Sequence, residues 1–373
     1  MSGSIIKNVK SVIVPNTGHL KGMEAAVAAG IIAGSADREL EVISEVSEDK
    51  KAAIRDYLQT VPISIQHIEQ GHVFDIIVTE RSGDSYAKVR IAGFHTNICL
   101  IEKNGRVLYE KPLLNEEARR DSRADRSLLN MKDIWDFAET ADLQDVADLL
   151  ERQIRYNNAI AEEGLLGDYG ANIGQVLLST YGNDVSIRAK AKAAAGSDAR
   201  MNGCELPVII NSGSGNQGIT CSVPLIEYAK ELHSGKEKLY RAHHFQSGGH
   251  PRKDRHRHPV RLLRRSQCWC GRWRGHRISV RRRLSAAIHT VVNALAIVSG
   301  IVCDGAKASC AAKIASSVDA ALLGYNMYKC HQEFKGGDGI VMKDIETTIK
   351  GIGRLGKDGM KETNEEIIRL MIE

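Results

Sequence analysis

Between His243 and Arg283 the chain carries 12 Arg and one Lys against a single acid, Asp254. No other stretch constrains folding as much. A guanidinium is not desolvated without a partner, and one carboxylate can serve only one of them. As written, the segment is expected to loop out or stay disordered, leaving apolar faces of neighbouring helices uncovered. It also distorts the charge of the whole. Subtracting its +12 from the formal net charge of +5 leaves −7 for all other residues. Outside it the protein is mildly acidic, with no charge pattern suited to nucleic acid.

Three readings fit the segment. As a basic arm it would bind phosphates, making the chain a nucleic-acid-binding protein, but it interrupts an Ala- and Gly-rich helical region rather than forming a tail. As a metal site it would use Cys268, Cys270 and nearby His, which lack the paired spacing of a zinc finger. The third is a shifted reading frame over about 243–285. Read from its second base, every Arg codon yields a codon starting with G, so the 12 Arg become Val, Ala, Asp, Glu or Gly. Trp269-Cys270 and Trp273-Arg274 are both forced to Gly, and Cys268-Trp269 to Ala or Val. The result is compatible with an apolar helix followed by a Gly/Ala-rich one, as the flanks require. This third reading is preferred.

The remaining sequence predicts an α+β fold, mostly helical with one small antiparallel β subdomain. Residues 1–60 read as a short strand in "NVKSVIVP", a Pro-Asn-Thr-Gly turn, a helix from about Lys21 and another over Ser47–Thr60. Residues 61–112 change to period two, in "ISIQHI", "FDIIVTE", "YAKVRIAG", "TNICLIEK" and "RVLYEK", with turns such as "KNG" between them. Residues 113–373 are helical outside the aberrant segment. The scattered Cys suit a reducing cytoplasm, and no run is apolar and long enough to span a membrane.

The strongest chemical signal is "IVCDGAKASC". On a continuous helix the seven-residue step from Cys303 to Cys310 rises about 10.5 Å, too far for neighbouring corners of one cluster. Asp304-Gly305 offers a break that lets the backbone curl, with Lys307 nearby as cation or acid. From spacing alone, two small buried Cys on an Ala-rich helix are the plainer reading. The loop Asn211, Ser212, Gly213, Ser214, Gly215, Asn216 follows an apolar run and opens a helix, so its amides suit a carboxylate or phosphate. It also fits G-x-G-x-x-G, which raises a dinucleotide-binding oxidoreductase. However, no acid ends a second strand about 20 residues on, and Pro224 stands where a Rossmann helix should continue. Asn16, Thr17 and Lys21 cluster in a turn that suits an anion or only a helix cap. His95 and Thr96 stand at a strand start in "GFHTNI", and His289 begins an apolar helix as a base or a cap-region residue.

Taken together, "VPNTGHLKGMEAA", "HTNI", "NSGSGNQGIT", "HTVVNALAIVSGIVCDGAKASCAAKIAS" and "FKGGDGIV" resemble the L-cysteine desulfidase family, related to the catalytic alpha domain of iron–sulfur L-serine dehydratases. The resemblance implies a cytoplasmic lyase of cysteine catabolism with a 4Fe–4S cluster and no pyridoxal phosphate. It would convert L-cysteine to pyruvate, ammonia and hydrogen sulfide, with L-serine dehydratase activity as the alternative. Cys303 and Cys310 would be cluster ligands, and Lys307, His289 and Asp304 the catalytic candidates. Asn16, Thr17, Lys21, His95, Thr96 and the Asn211–Asn216 loop would bind substrate. The partner is a small amino acid, with neither nucleic acid nor membrane involved, and a homodimer is compatible with the pattern.

Two departures bear on activity. Members of that family carry an N-terminal segment with Gly-Cys-Thr-Glu-Pro, and the chain is expected to be truncated after it. They also carry a Phe-Cys-Gly-Ala-like cluster Cys in the region that is Arg-rich here, and the shifted frame restores it at the Leu263–Arg264 junction. As written, only two of the expected thiols are present, so activity is expected to be impaired.

Overall fold

The structure is a computed structural model that describes residues 1–69, 71–113, 129–211, 213–248 and 280–372. The heart of the Arg-rich segment, with Cys268 and Cys270, lies outside the described residues, and so does the expectation that it loops out. The fold is α+β, and the chain divides into two compact units.

The first unit comprises Met1–Asp125, Asp304–Ala306 and Asn364–Glu373. Helix α1 (Gly3–Val9) occupies the start of the stretch expected as a strand, of which only an isolated bridge between Ile13 and Lys21 forms. The preceding backbone is tied elsewhere: Ser2 donates its amide to Asp75 at 2.8 Å, and Met1 accepts from Ile68 at 2.9 Å. Helices α2 (Gly22–Ala33) and α3 (Glu48–Thr60) pack through Ala25, Ala28, Ala29 and Ile54. The sheet follows in the order β1 (Asp75–Ser82), β2 (Ser85–Ala92), β3 (Ile98–Lys103) and β4 (Arg106–Glu110), all antiparallel. Asn104 and Gly105 both adopt positive φ in the β3–β4 turn, the geometry an Asn-Gly hairpin turn demands. The first of the β-like runs, "ISIQHI", forms no strand and keeps one parallel bridge from Ile68 to Ser2.

The second unit, Arg126–Cys303 and Lys307–Thr363, is helical. Its helices are α4 (Met131–Thr140), α5 (Ala147–Leu166), α6 (Ile173–Tyr181), α7 (Val185–Met201), α8 (Gly215–Glu231), α9 (Lys236–Gly248), α10 (Val280–Val298), α11 (Ser309–Lys329) and α12 (Ile345–Arg354); α13 (Lys361–Ile372) closes the chain and enters the first unit at Asn364. Side-chain caps start several of them: Asn130 accepts from Asp133, Asp184 from Ser186 and Asp344 from Thr347. Helix α7 is the centre, its Ala-rich length buried among α5, α6, α8 and α11. Pro224 does not end α8, contrary to the reading of it as a helix breaker. A proline costs its own hydrogen bond and a ring clash, but every residue of α8 from Gly215 to Tyr228 is buried, and that packing holds the helix through it.

Candidate active site

Salt bridges and contacts fix how the helices of the second unit run. Lys190 Nζ reaches Asp319 Oδ1 at 2.9 Å, and Ala194 packs with Ala311 and Ala315, so α7 and α11 are antiparallel. Arg188 donates to Glu231 at 2.6 Å, Lys192 to Glu227 at 2.8 Å and Arg200 to Asn216 at 3.3 Å, so α7 and α8 are antiparallel too. The C-terminal end of α7 therefore lies at the N-terminal ends of both α8 and α11. That end of the helical unit carries Arg200, the Asn211–Asn216 turn and, at the start of α11, Cys310.

The Asn211 loop is a tight turn: Asn211 and Ser214 exchange backbone hydrogen bonds at 3.1 and 3.0 Å. Ser214 caps α8, its hydroxyl accepting from Gln217 at 3.4 Å. Ser212 lies outside the described residues. A Cβ at Gly215 would stand 2.1 Å from Arg200 Nε, so any side chain there would displace the guanidinium. A guanidinium thus lies against the first turn of a helix, whose free amides carry partial positive charge. That arrangement favours a carboxylate. Arg200 was missed in the sequence; its only signal was one Arg at the end of an Ala-rich helix shortly before a Gly-rich loop. A dinucleotide reading of the loop fails, because no strand precedes it and the described strands form one antiparallel sheet elsewhere.

Asp198, one turn from the end of α7, is fully buried. One oxygen accepts from the amide of Ile173 at 3.0 Å, capping α6, while Oδ1 has no hydrogen-bond partner among the described residues. Burial pushes its carboxyl up to about 6, against the pull of the Ile173 and Ala171 amides.

The Cys303–Cys310 stretch is not a continuous helix: α10 ends at Val298 and α11 begins at Ser309. Lys313 Nζ donates to the Val302 carbonyl at 3.0 Å, tying the loop to the first turn of α11. Gly305 has φ +104°, and a Cβ there would meet the Lys7 carbonyl oxygen at 1.9 Å. The Asp304–Ala306 stretch thus belongs with the first unit, where Lys7 is almost wholly buried. Cys310 is buried and Cys303 half-buried.

His289 does not join them. Its Nδ1 pairs with Glu333 Oε2, and its ring stacks on Tyr328 at 5.4 Å between centroids. Tyr328 is eighteen residues beyond Cys310 on α11, a rise of about 27 Å. His289, midway along α10 rather than at its start, therefore stands beside the C-terminal end of α11, away from Cys310. The sequence grouped it with Lys307 because period and spacing show a helix but not which of its ends meets which neighbour.

The first-unit candidates are placed as follows. Thr17 is fully buried, its hydroxyl donating to Val14 at 2.7 Å and accepting from Leu20 at 3.3 Å, so it braces the turn rather than meeting a substrate. Asn16 Nδ2 donates to the Ile43 carbonyl at 3.0 Å, and Lys21 is exposed. His95 and Thr96 are exposed in the β2–β3 turn rather than at a strand start, with the His95 ring 4.4 Å from that of Phe74.

The chain belongs to the serine dehydratase alpha chain family. The family model of that description matches residues 37–245 and 281–369. This defines the class: members are usually lyases and typically associated with an iron–sulfur group. Among particular relatives, a UPF0597 protein of Desulfitobacterium hafniense is 54% identical over 386 residues, spanning 100% of this chain and 86% of the relative. UPF0597 proteins of Lachnoclostridium phytofermentans and Finegoldia magna are 44% and 42% identical, again over 100% of this chain and over 88% and 89% of theirs. No solved structure matches. The family match breaks over residues 246–280, the heart of the Arg-rich segment.

The thiols of the described residues do not fit a cluster held by three cysteines. Among the described residues no three His, Cys, Asp or Glu side chains gather to hold a metal. The motif supplies only the Cys303 and Cys310 pair. No helix among the described residues is long and apolar enough to cross a membrane.

Proposed function

We propose that this protein descends from a lyase that eliminates the β-substituent of a small amino acid, L-cysteine first and L-serine as the alternative. The observation that carries this reading is that Arg200 lies against the start of α8, at the end of the helical unit where α11 also begins, in a member of the serine dehydratase alpha chain family. Arg200 and the first amides of α8 hold the substrate carboxylate. Lys307, between the two thiols in sequence and in the same unit as Arg200, exchanges protons with Cα and the departing group. Loss of the Cα proton and of sulfide from L-cysteine leaves aminoacrylate, whose hydrolysis gives pyruvate and ammonia; L-serine loses water by the same route. Pyridoxal phosphate has no part in this reading. The described cysteines form no disulfide with one another, which suits a reducing cytoplasm.

The family's iron–sulfur chemistry is not assigned to this chain as written. A frame shift opening near codon 243 and closing near 285 would account for the missing ligand, and several observations support it. The family match breaks there, 12 Arg stand in one segment, and the last described helix before it carries a misfit. His243 is buried, and among the described residues neither its Nε2 nor that of the adjacent His244 has a hydrogen-bond partner.

The test supplies purified protein, in the written and in the restored frame, with L-cysteine and L-serine while sulfide and pyruvate are measured. The restored chain should release sulfide from L-cysteine and the written chain little. Pyruvate from L-serine alone would assign the dehydratase, and no pyruvate from either amino acid with the restored chain would end the lyase reading. Arg200→Gln should raise KM more than tenfold with a smaller loss in kcat, as expected for a lost charge-assisted carboxylate contact of about 1.5–3 kcal/mol.

A further inference from the structure

The four-stranded sheet of the first unit presents an apolar face that no element among the described residues covers, and we propose that it is an isologous dimer interface with a second copy of this chain. The strand register defines the face. Val78, Val89, Ile101 and Tyr109 align as one row across all four strands. To one side lies the row Ile76, Ile91 and Ile98; to the other lies the row Glu80, Ala87, Lys103 and Arg106, a bulge adding one residue to the step at Ile98 and at Arg106. The opposite face mixes Ile77, Leu100 and Val107 with polar groups that satisfy one another: Glu102 accepts from Tyr86 and Lys88, and Arg90 pairs with Asp75 through two bonds at 2.9 and 2.7 Å.

An antiparallel sheet is expected to bury one face on a core. Here Val78 is 37%, Ile98 40% and Tyr109 45% exposed. None of the apolar residues of the face belongs to a hydrophobic core cluster, and no helix of the described residues packs along the strands. A contiguous apolar face of this kind marks a contact surface. The edges are unsuited to pairing with another strand. β4 is short, flanked by Arg106 and Glu110, and bulged where Val107 and Leu108 oppose Glu102, all features that block edge-to-edge addition. The face, not the edge, is left to be covered.

Its charges select the occupant. In a sheet-on-sheet pair related by a two-fold axis parallel to the strands, β1 lies over β4 of the second copy and β2 over β3. Val78 then meets Tyr109 and Val89 meets Ile101. Glu80 meets Arg106, and symmetry makes each contact twice. Neither Glu80 nor Arg106 has an ion pair within the chain among the described residues. The other two-fold in the sheet plane, perpendicular to the strands, would set the charged row on the isoleucines and desolvate it without partners. The charge pattern therefore admits one face-to-face arrangement of two identical copies and disfavours the other.

Sedimentation velocity on the full chain from about 1 to 100 µM tests this, within the affinity range of ordinary reversible dimers. The protein should form a reversible dimer. Glu80→Arg and Arg106→Glu should each weaken it roughly tenfold, because each reverses two symmetric pairs. The combined exchange should restore it. Both positions are exposed, so circular dichroism should confirm that the variants fold. A monomer at every concentration, as a different partner protein would require, overturns the proposal. So does a dimer indifferent to the single reversals, or one that the double exchange fails to rescue. None of these outcomes depends on the lyase reading.

Discussion

Asp198, Gly305 and His243 each make a quantitative claim at the scale of one residue. Asp198 titrates in the fold at about 6 against 3.8 for the free side chain. Its contribution to stability is full below about 4 and is lost as pH rises through about 6. Asp198→Asn keeps an acceptor for Ile173 and removes the buried charge. It should therefore stabilise the protein at pH 8 by up to about 3 kcal/mol and do little at pH 4; urea titrations at the two pH values measure this. Gly305→Ala would force a Cβ into the Lys7 carbonyl at a backbone angle that only glycine tolerates. A loss of at least about 2 kcal/mol in the same titration is expected. Burial pulls His243 down to about 3. Stability attached to it is present above about 6.5 and is lost as pH falls toward 3, when the unfolded chain takes up a proton that the fold refuses. His243→Ile, the residue the shifted frame can supply, should remove that acid sensitivity and raise stability by about 1–3 kcal/mol.

Elements were legible where periodicity and turn chemistry agreed. The Asn104-Gly105 hairpin, the alternation through β1–β4 and the helix break at Asp304-Gly305 all show in the residues that cause them. What the sequence hid was the ordering of helix ends. His289 and Lys307 sit on either side of one apolar run, yet an antiparallel hairpin sends them to opposite ends of α11. Arg200 joins the candidate site through two antiparallel packings that no local pattern encodes. Pro224 misled because propensity weighs a helix as though it stood in water, whereas α8 is buried on nearly every side. The short β-like run at Ile63–Ile68 misled in the opposite sense, because Met1 and Ser2 take its backbone groups, and the run before Pro15 pairs only across its own turn, with Leu20 and Gly22.

At the scale of the molecule, the Arg-rich segment decides what the chain can do. The family match stops and resumes around it, and the helical unit is built from its two flanks. If the frame is restored, a Cys returns at the Leu263–Arg264 junction. Anaerobic reconstitution with iron and sulfide should then give the broad visible absorption of a cluster in the restored protein and none in the written one. Equal iron uptake by both would show that the segment is irrelevant to the metal. The separation of the two ends of α11 has a practical consequence. Cys330 is exposed just past its C-terminal end, twenty residues and about 30 Å from Cys310. A dye attached there would leave the proposed chemistry untouched. Paired with a second probe near Cys303, it would act as a molecular ruler, reporting by energy transfer whether the hairpin keeps its length while substrate is turned over.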